Sequence, residues 1–525
     1  MKRKNGTQKF PRTDAGNAEM FADLRGESVR FDHKAGRWLI WDKARSRWTE
    51  DKQGKVRILA KKTARSRAKA ALNIVNGDEK KREVSWAVHS EGRFAIDAAL
   101  ELAKSEPPIS DDGEGWDSDP WLFGVSNGIV DLRTGKLRAA TQQDHITKAS
   151  PVVFNPHANC PRFKTFLAEV FDGDSELMEY VQKAVGYTLT GLTREQCFFA
   201  CHGAGQNGKS TLFEVILYIM GDYGTDLPFS VLEKKKQLPV GEGMNLPGAR
   251  FAKSVETRED LQLDEARIKS WTGGDTITIN PKFRAPLSFT PTHKLWLAFN
   301  HKPCVTDDSD AMWRRVRLIP FNHTFTTAQA DKRLLDKLKA EAAGVLNWAI
   351  AGCLAWQTKG LKTPAAVERA TDEYERESDP LAQFFEDCCE LGFSYTVPKG
   401  DLRVAYERWC QTNREKPLNR NAFAERMRDR GFGEGSTGRA RYWSGLRVLP
   451  PGLTPLTQLT PISSSSYSEA PIGKNLEGGL VTSVGSEQLP SLAEFADDPV
   501  PDALETSRHS PPPVRAGVRI TGQRV

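Results

Sequence analysis

The chain has 525 residues, 39% of them hydrophobic and 27% charged, and its 74 Lys and Arg against 68 Asp and Glu give a net charge of +6. That length suggests three or four domains, and the lack of any apolar run of about 18 residues excludes a helical membrane span. The basic start MKRKNGTQKFPR has no apolar stretch behind it, which argues against a secretory leader. Eight scattered cysteines with no C-x-x-C pair argue against a disulfide framework or a zinc site and fit a reducing cytosol.

In chain order, residues 1–82 carry 23 Lys and Arg against 10 acids, a local excess that suits a polyanion, nucleic acid first, or else a solvated surface. GRWLIWDKARSRWTED (36–51) alternates Trp with polar residues as a half-buried hairpin does, and KVRILAKKTARSRAKAAL (55–72) reads as a basic helix. The polar stretch 105–120 reads as a loop. VSNGIVDLRTGKL (125–137) reads as two short strands turned at Asn-Gly and Thr-Gly, and 160–191 as two amphipathic helices. From about 195 to 321 strand and helix signals alternate, and 340–360 is helical. Residues 402–449 then read helix, helix, strand, the order of a winged helix-turn-helix. Beyond 450 the Ser-, Pro- and Gly-rich composition cannot bury enough apolar area to offset chain entropy, so a disordered, acidic tail is expected.

The sharpest signal is Gly203-Ala204-Gly205-Gln206-Asn207-Gly208-Lys209-Ser210, followed by Thr211, a complete G-x-x-x-x-G-K-[ST]. Glycines let backbone N–H groups turn inward around phosphates, Lys209 meets the β- and γ-phosphates, and the Ser210 hydroxyl suits Mg²⁺. The apolar run CFFAC (197–201) before it and Leu212, Val215, Ile216 and Ile219 after it predict strand, loop and helix, so that a helix N-terminus faces the anion. Hydrolysis needs an acid on a second strand. Glu256, ending RFAKSVE, is the candidate to hold Mg²⁺ or to polarise water, although Lys253 and Ser254 make that strand polar and an acidic surface turn is the alternative. Asn300, at the tip of the apolar run LWLAF, suits the γ-phosphate or the attacking water. Arg314 and Arg315 are candidates for a guanidinium that stabilises phosphoryl-transfer charge, often from a neighbouring subunit.

In this order, GAGQNGKST (203–211), SVETRED (254–260), 269–303 and WRRVRLIPF (313–321) resemble the superfamily 3 helicases, specifically the phage and plasmid primase-helicase group related to poxvirus primase-helicases. VSNGIVDLRTGKL and LTGLTREQCFF (189–199) are similar to that group's domain ahead of the ATPase, and the resemblance spans roughly 115–390. It departs at Val255, where many members of the superfamily carry an Asp beside the Glu. The resemblance implies a modified AAA+ α/β core, a ring, most simply a hexamer, and ATP-driven translocation on single-stranded DNA. It also implies a DNA-contacting hairpin over 276–290 with Lys282, Phe283 and Arg284 near its turn.

The expected organisation is therefore a basic region (1–115), an α+β domain of phage-primase type (116–194), the P-loop ATPase core (195–325), a helical part (326–398), a winged-helix-like domain (399–449) and a tail (450–525). The expected activity is ATP-dependent unwinding of DNA in replication of a phage, prophage or plasmid, in the bacterial host cytoplasm. Its cofactors are ATP and Mg²⁺, and its partners are single-stranded and forked DNA, further copies of the chain and a separate primase or replication initiator. Residues 1–115 offer no paired-acid strand for primer synthesis of their own. The rival readings are an ATP-gated origin-binding or loading protein, a packaging motor or phosphotransferase, and a bifunctional primase-helicase.

Overall fold

The computed structural model describes residues 10–234, 243–256, 258, 261–280, 286–305, 310–415, 417–438 and 440–450. The first nine residues, Lys282, Phe283 and Arg284, and the tail beyond 450 lie outside the described residues.

The N-terminal block runs α1 (Asp14–Arg25), β1 (Val29–Asp32), β2 (Arg37–Asp42), β3 (Arg47–Glu50), α2 (Lys55–Ala71), α3 (Gly77–His89), α4 (Arg93–Ala103) and β4 (Ser110–Asp111). The Trp-rich segment forms the β2–β3 hairpin with Trp41 opposite Trp48. The polar stretch expected to be wholly loop contributes β4, which pairs parallel with β1. Next come β5 (Leu122–Val125), β6 (Gly128–Asp131) and β7 (Lys136–Arg138), a three-stranded meander where two strands were expected. The added strand is β5, whose LFGV is buried throughout and carries no alternation to mark it. The two amphipathic helices follow as α5 (Pro161–Val170) and α6 (Ser175–Leu189). Polar caps start several helices: the side chains of Asn76 and Asp174 accept from first-turn N–H groups of α3 and α6.

The core is built from β8 (Phe198–His202), α7 (Lys209–Met220), β9 (Gly224–Asp226), β10 (Phe251–Glu256), α8 (Glu265–Gly273), β11 (Ile277–Ile279), β12 (Leu287–Phe289), β13 (Lys294–Phe299), α9 (Asp310–Trp313) and β14 (Val316–Pro320). Five of these strands form one all-parallel sheet in the order β14-β8-β13-β10-β9. Parallel strands covered on both faces are apolar throughout, and successive residues divide between two cores. Phe199, Cys201, Phe251 and Trp296 pack with α5, α6 and α7, whereas Phe198, Ala200, Leu295 and Leu297 pack with Ile268 and Trp271 of α8. Because β8 lies between β13 and β14, neither adjacent in sequence, the chain reverses its winding there. That switch point opens a crevice at the carboxyl ends of the strands.

The amino ends of β10 and β13 meet the carboxyl end of α6. Arg250 donates to the carbonyls of Leu189 (2.7 Å) and Leu122 (2.9 Å), and the Lys294 ammonium to those of Thr190, Leu192 (3.1 Å) and Thr292 (3.1 Å). Both cations are buried, burial lowers the pKa of each, and among their acceptors the Leu189 and Thr190 carbonyls lie at the negative end of the α6 dipole.

After the core come α10 (Leu334–Ala340), α11 (Ala342–Lys359) and α12 (Ala365–Glu377). The last block is α13 (Pro380–Cys388), β15 (Cys389–Pro398), α14 (Lys399–Asn413), α15 (Arg420–Asp429), β16 (Gly433–Thr437) and β17 (Ala440–Val448). The expected boundary at 398/399 is corrected here. β15 pairs antiparallel with β17, and Leu381, Phe384 and Cys389 share one core with Leu402, Tyr406 and Trp443, so this block begins near 380. Its three strands are ordered β15-β17-β16.

α6 crosses α11 backbone to backbone. A Cβ at Gly186 would overlap the Cys353 N and the Gly352 carbonyl carbon, and one at Gly352 would overlap the Gln182 carbonyl. Gly186→Ala should lower stability by about 1–3 kcal/mol despite the better helix propensity of Ala, because the overlap is with backbone, not with a side chain that can turn away. Thermal unfolding of the two proteins measures this.

Candidate nucleotide site

The loop 203–208 leaves the carboxyl end of β8 and enters α7 at Lys209. Gly208 has φ 84°, and a Cβ there would lie 2.7 Å from Val170 Cγ2, so glycine is required for both conformation and space. A Cβ at Gly203 would overlap the Phe321 carbonyl oxygen and the Asn207 amide. Asn207 is buried, and its amide donates to the carbonyls of Ala204 and Phe321 (3.2 Å), which fastens the loop to the end of β14. Phe325 N donates to the Gln206 carbonyl at 2.9 Å, a second tether. Ala204, Gly205, Gln206 and Ser210 are exposed, and Thr211 is half-buried. No side chain caps α7, so its first N–H groups face the crevice unsatisfied by a side chain.

Lys209 is 5% exposed, and its ammonium donates to the Gly203 carbonyl (2.6 Å), Asn207 Oδ1 (3.0 Å) and Asn300 Oδ1 (3.2 Å). Two motifs separated by 91 residues are thus joined by one hydrogen bond, and the distant Asn300 is brought to the phosphate loop. All three acceptors are neutral. Burial pulls the Lys209 pKa down to about 8.

Glu256 ends β10 opposite Phe299, one residue before Asn300. Its carboxylate accepts from Arg258, at 2.9 Å from both the backbone N and Nη2. Lys253, which made the strand look too polar for burial, is explained by ion pairs with Glu214 of α7 (2.7 Å) and Asp226 (2.8 Å). Burial works against that charge, but the bonds from Asp226 and Glu214 outweigh it and the Lys253 pKa is raised. Strand alternation places Val255 on the same face as Lys253, toward α7, and Glu256 on the other. The departure at Val255 therefore falls on the face of the phosphate-loop helix.

The two arginines part company. Arg315 is buried, and its guanidinium donates to Thr272 Oγ1 (3.2 Å) and the Ala311 carbonyl of the same chain. Arg314, one residue earlier, is exposed. β11 and β12 form an antiparallel pair with Ile277 opposite Phe289, which are the flanks of the expected 276–290 hairpin. Arg258, Glu214 and Asp226 were missed in the sequence. Arg258 stood beside Glu256 in SVETRED, but nothing in sequence linked Glu214 or Asp226 to Lys253.

The arrangement suits a polyphosphate: a desolvated ammonium, a glycine-bent loop and a helix N-terminus without a side-chain cap converge at one strand end. Ser210, exposed on the first turn of α7, fits a phosphate-bound Mg²⁺ directly. Glu256 fits one only on leaving Arg258. Among the described residues no cluster of three or more His, Cys, Asp or Glu side chains forms a metal site by itself.

The Lys209 pKa lies below its ordinary value of 10.5, so the folded state binds fewer protons than the unfolded state between about 8 and 10.5. This group's contribution to stability therefore rises with pH across that window and is at its worst below it. Lys209→Met removes that slope. Denaturant unfolding at pH 7 and at pH 10.5 should show the wild type gaining on the variant at the higher pH.

The family described as D5 N terminal like matches residues 18–172, a family of unknown function (DUF5906) matches 201–315, and the family described as Poxvirus D5 protein-like matches 376–432. "Putative helicase L207/L206" of Acanthamoeba polyphaga mimivirus is 26% identical over 52% of this chain and 31% of its own length. "Putative helicase 022R" of Frog virus 3 is 25% identical over 57% of this chain and 40% of its own. The chain thus spans well under half the length of these curated relatives. The C-terminal region of NrS-1, solved in its apo form, aligns over 82% of this chain and 99% of its own at 12% identity and a TM-score of 0.48, a likeness too loose to build on. A D5 N terminal like segment ahead of the phosphate loop, a Poxvirus D5 protein-like segment after it and helicase-named viral proteins aligned with about half of the chain together support a primase-helicase group of superfamily 3 type.

Proposed function

We propose that the protein is an ATP-dependent DNA helicase that moves along single-stranded DNA as a ring, most simply a hexamer, during replication. The observation that carries this reading is the hydrogen bond from Lys209 to Asn300, which joins the phosphate loop to the residue suited to sense a γ-phosphate. In this reading the loop 203–208 wraps the phosphates of ATP, and Lys209 exchanges its neutral acceptors for phosphate oxygens. Asn300, released from Lys209, orients water or the γ-phosphate. Bound Mg²⁺ would supply charge neutralisation between the phosphates, held by Ser210 with Glu256 beside it. Glu256 polarises the attacking water once Arg258 lets go.

Exposed Arg314 is the residue we assign to the neighbouring subunit's nucleotide, and buried Arg315 the one that supports it by fixing α9 to α8. Lys282, Phe283 and Arg284 are the proposed DNA contacts, and the 380–448 block is proposed to hold duplex or origin DNA in winged-helix fashion. A separate primase or initiator would complete the replication assembly. The setting we propose, a phage, prophage or plasmid in the bacterial cytoplasm, extends beyond the relatives above, which come from viruses of eukaryotes.

A second reading, an ATP-gated loading protein without unwinding, is favoured by the Glu256–Arg258 pair, which engages the hydrolytic carboxylate with a cation of the same chain. ATP turnover with and without single-stranded DNA, alongside strand displacement, separates the two. Single-stranded DNA should stimulate turnover and forked substrates should be opened. Turnover without displacement supports the loader, and no turnover sinks both. Lys209→Ala should abolish turnover.

Arg314→Ala should lower turnover by about 10³-fold with nucleotide binding intact. Mixing it with Lys209→Ala subunits should restore part of the activity if the arginine acts across a subunit boundary. Arg315→Ala should instead cost about 1.5–3 kcal/mol of stability through the lost charged hydrogen bonds, read by thermal unfolding.

A further inference from the structure

The N-terminal block holds a second cluster that the ATPase reading does not use. An open, shallow pocket on α3 is lined by Arg12, Lys81, Arg82, Ser85, Trp86 and His89, the form that suits a chain laid along a surface better than an enclosed small molecule. Trp86 and His89, one helical turn apart, place their rings 5.0 Å from each other with a 33° tilt. Lys81 and Arg82 are exposed on the same helix and make no ion pair among the described residues. Arg12 is already engaged by Glu79 and Glu83.

What sets this pocket apart from an ordinary basic surface is the structure beneath it. Trp86 Nε1 donates to Asn17 Oδ1 at 3.3 Å, which also accepts from the Arg67 guanidinium at 3.2 Å. Arg67 has no exposed surface and is ion-paired with buried Glu83, whose other oxygen lies 3.7 Å from Arg12. Asn17 donates to Ser90 Oγ at 2.9 Å, and that hydroxyl donates back to the Trp86 carbonyl at 2.8 Å. Burying such a charged network is costly unless every member is bonded, and an apolar filling would serve stability as well. Here the network fixes one edge of the indole inward and leaves the rest of the ring at the pocket, so an aromatic platform is held rigid beside two exposed cations.

We propose that this pocket is a stacking site for single-stranded DNA. An unpaired base would lie on Trp86 and His89, and the flanking phosphates on Lys81 and Arg82. Every base has a face that can stack, so the site takes any sequence, and duplex DNA, whose bases are already stacked, gains only the charge contacts. The proposal depends on the helicase reading only for the choice of DNA as the polymer. It adds a contact on the N-terminal block, remote in sequence from the 276–290 hairpin.

The test uses the full chain without nucleotide and labelled oligothymidine, followed by anisotropy over a range of salt. Lys81→Glu/Arg82→Glu should weaken binding and reduce the salt slope by about 1.4, since each single-strand phosphate contact contributes about 0.7. Trp86→Leu should weaken binding by about fivefold to a hundredfold on single strands and far less on duplex, with Trp86→Phe restoring most of it. His89→Ala, exposed and outside the buried network, should weaken single-strand binding without moving the melting temperature. An unchanged affinity and salt slope in the double charge reversal would overturn the proposal. So would equal losses on duplex, or displacement by polyglutamate as effective as by unlabelled oligothymidine. A protein that shows the expected losses but never hydrolyses ATP would refute the helicase reading and leave this site standing. One whose DNA-stimulated turnover and DNA affinity both ignore these substitutions would do the reverse.

Discussion

A desolvated ammonium that finds only neutral oxygens is the constraint around which the parallel-sheet core of this molecule is arranged. Lys209 is buried, its partners are two side-chain amides and one carbonyl, and its pKa has fallen toward neutrality. A carboxylate in that place would satisfy the charge and also repel the phosphates. Amides hold the lysine in position without competing for it, so an incoming anion is the first full countercharge it meets. The parallel sheet makes this arrangement stable. With β8 and β13 paired in parallel and ending side by side, loop 203–208 and Asn300 are brought together by strand pairing, not by the loop's own conformation.

The acid side of the site is organised differently. Lys253 draws two acids, Glu214 and Asp226, to the α7 face of β10, and Arg258 draws Glu256 to the other. Among these residues the acids are therefore paired with cations, whereas Lys209 has only neutral partners. That asymmetry fits a site that gains its full electrostatic strength only when nucleotide arrives, because the amides that now hold Lys209 can be displaced at small cost.

Much of this was legible in the sequence because its signals are local. The phosphate loop is eight contiguous residues whose glycines have one steric meaning, and the strand before it and helix after it announce themselves by apolar runs. Asn300 was legible through its place in an ordered series of motifs. The pairing of Lys253 was not, since it needs Glu214, 39 residues away, and the register of β9 on β10. Arg314 and Arg315 are equivalent in sequence, and only the burial of one against Thr272 separates them. β15 was hidden because it is long, bulged between Leu391 and Thr396, and exposes Phe393, so its pattern is neither a clean alternation nor an apolar run. The Asn17–Arg67–Glu83 network looked like mere basicity, because its amide, cation and acid come from three separate helices.

Arg250 and Lys294 also decide what counts as a unit in this chain. Each stands at the root of an inner strand of the parallel sheet, yet the acceptors are carbonyls of residues 122, 189, 190 and 192, together with Thr292. A fragment trimmed to the P-loop core alone would keep both charges in an apolar interior and remove most of the oxygens that make them tolerable. The sheet and the segment ahead of it are therefore one thermodynamic body, whatever independence the motif boundaries suggest.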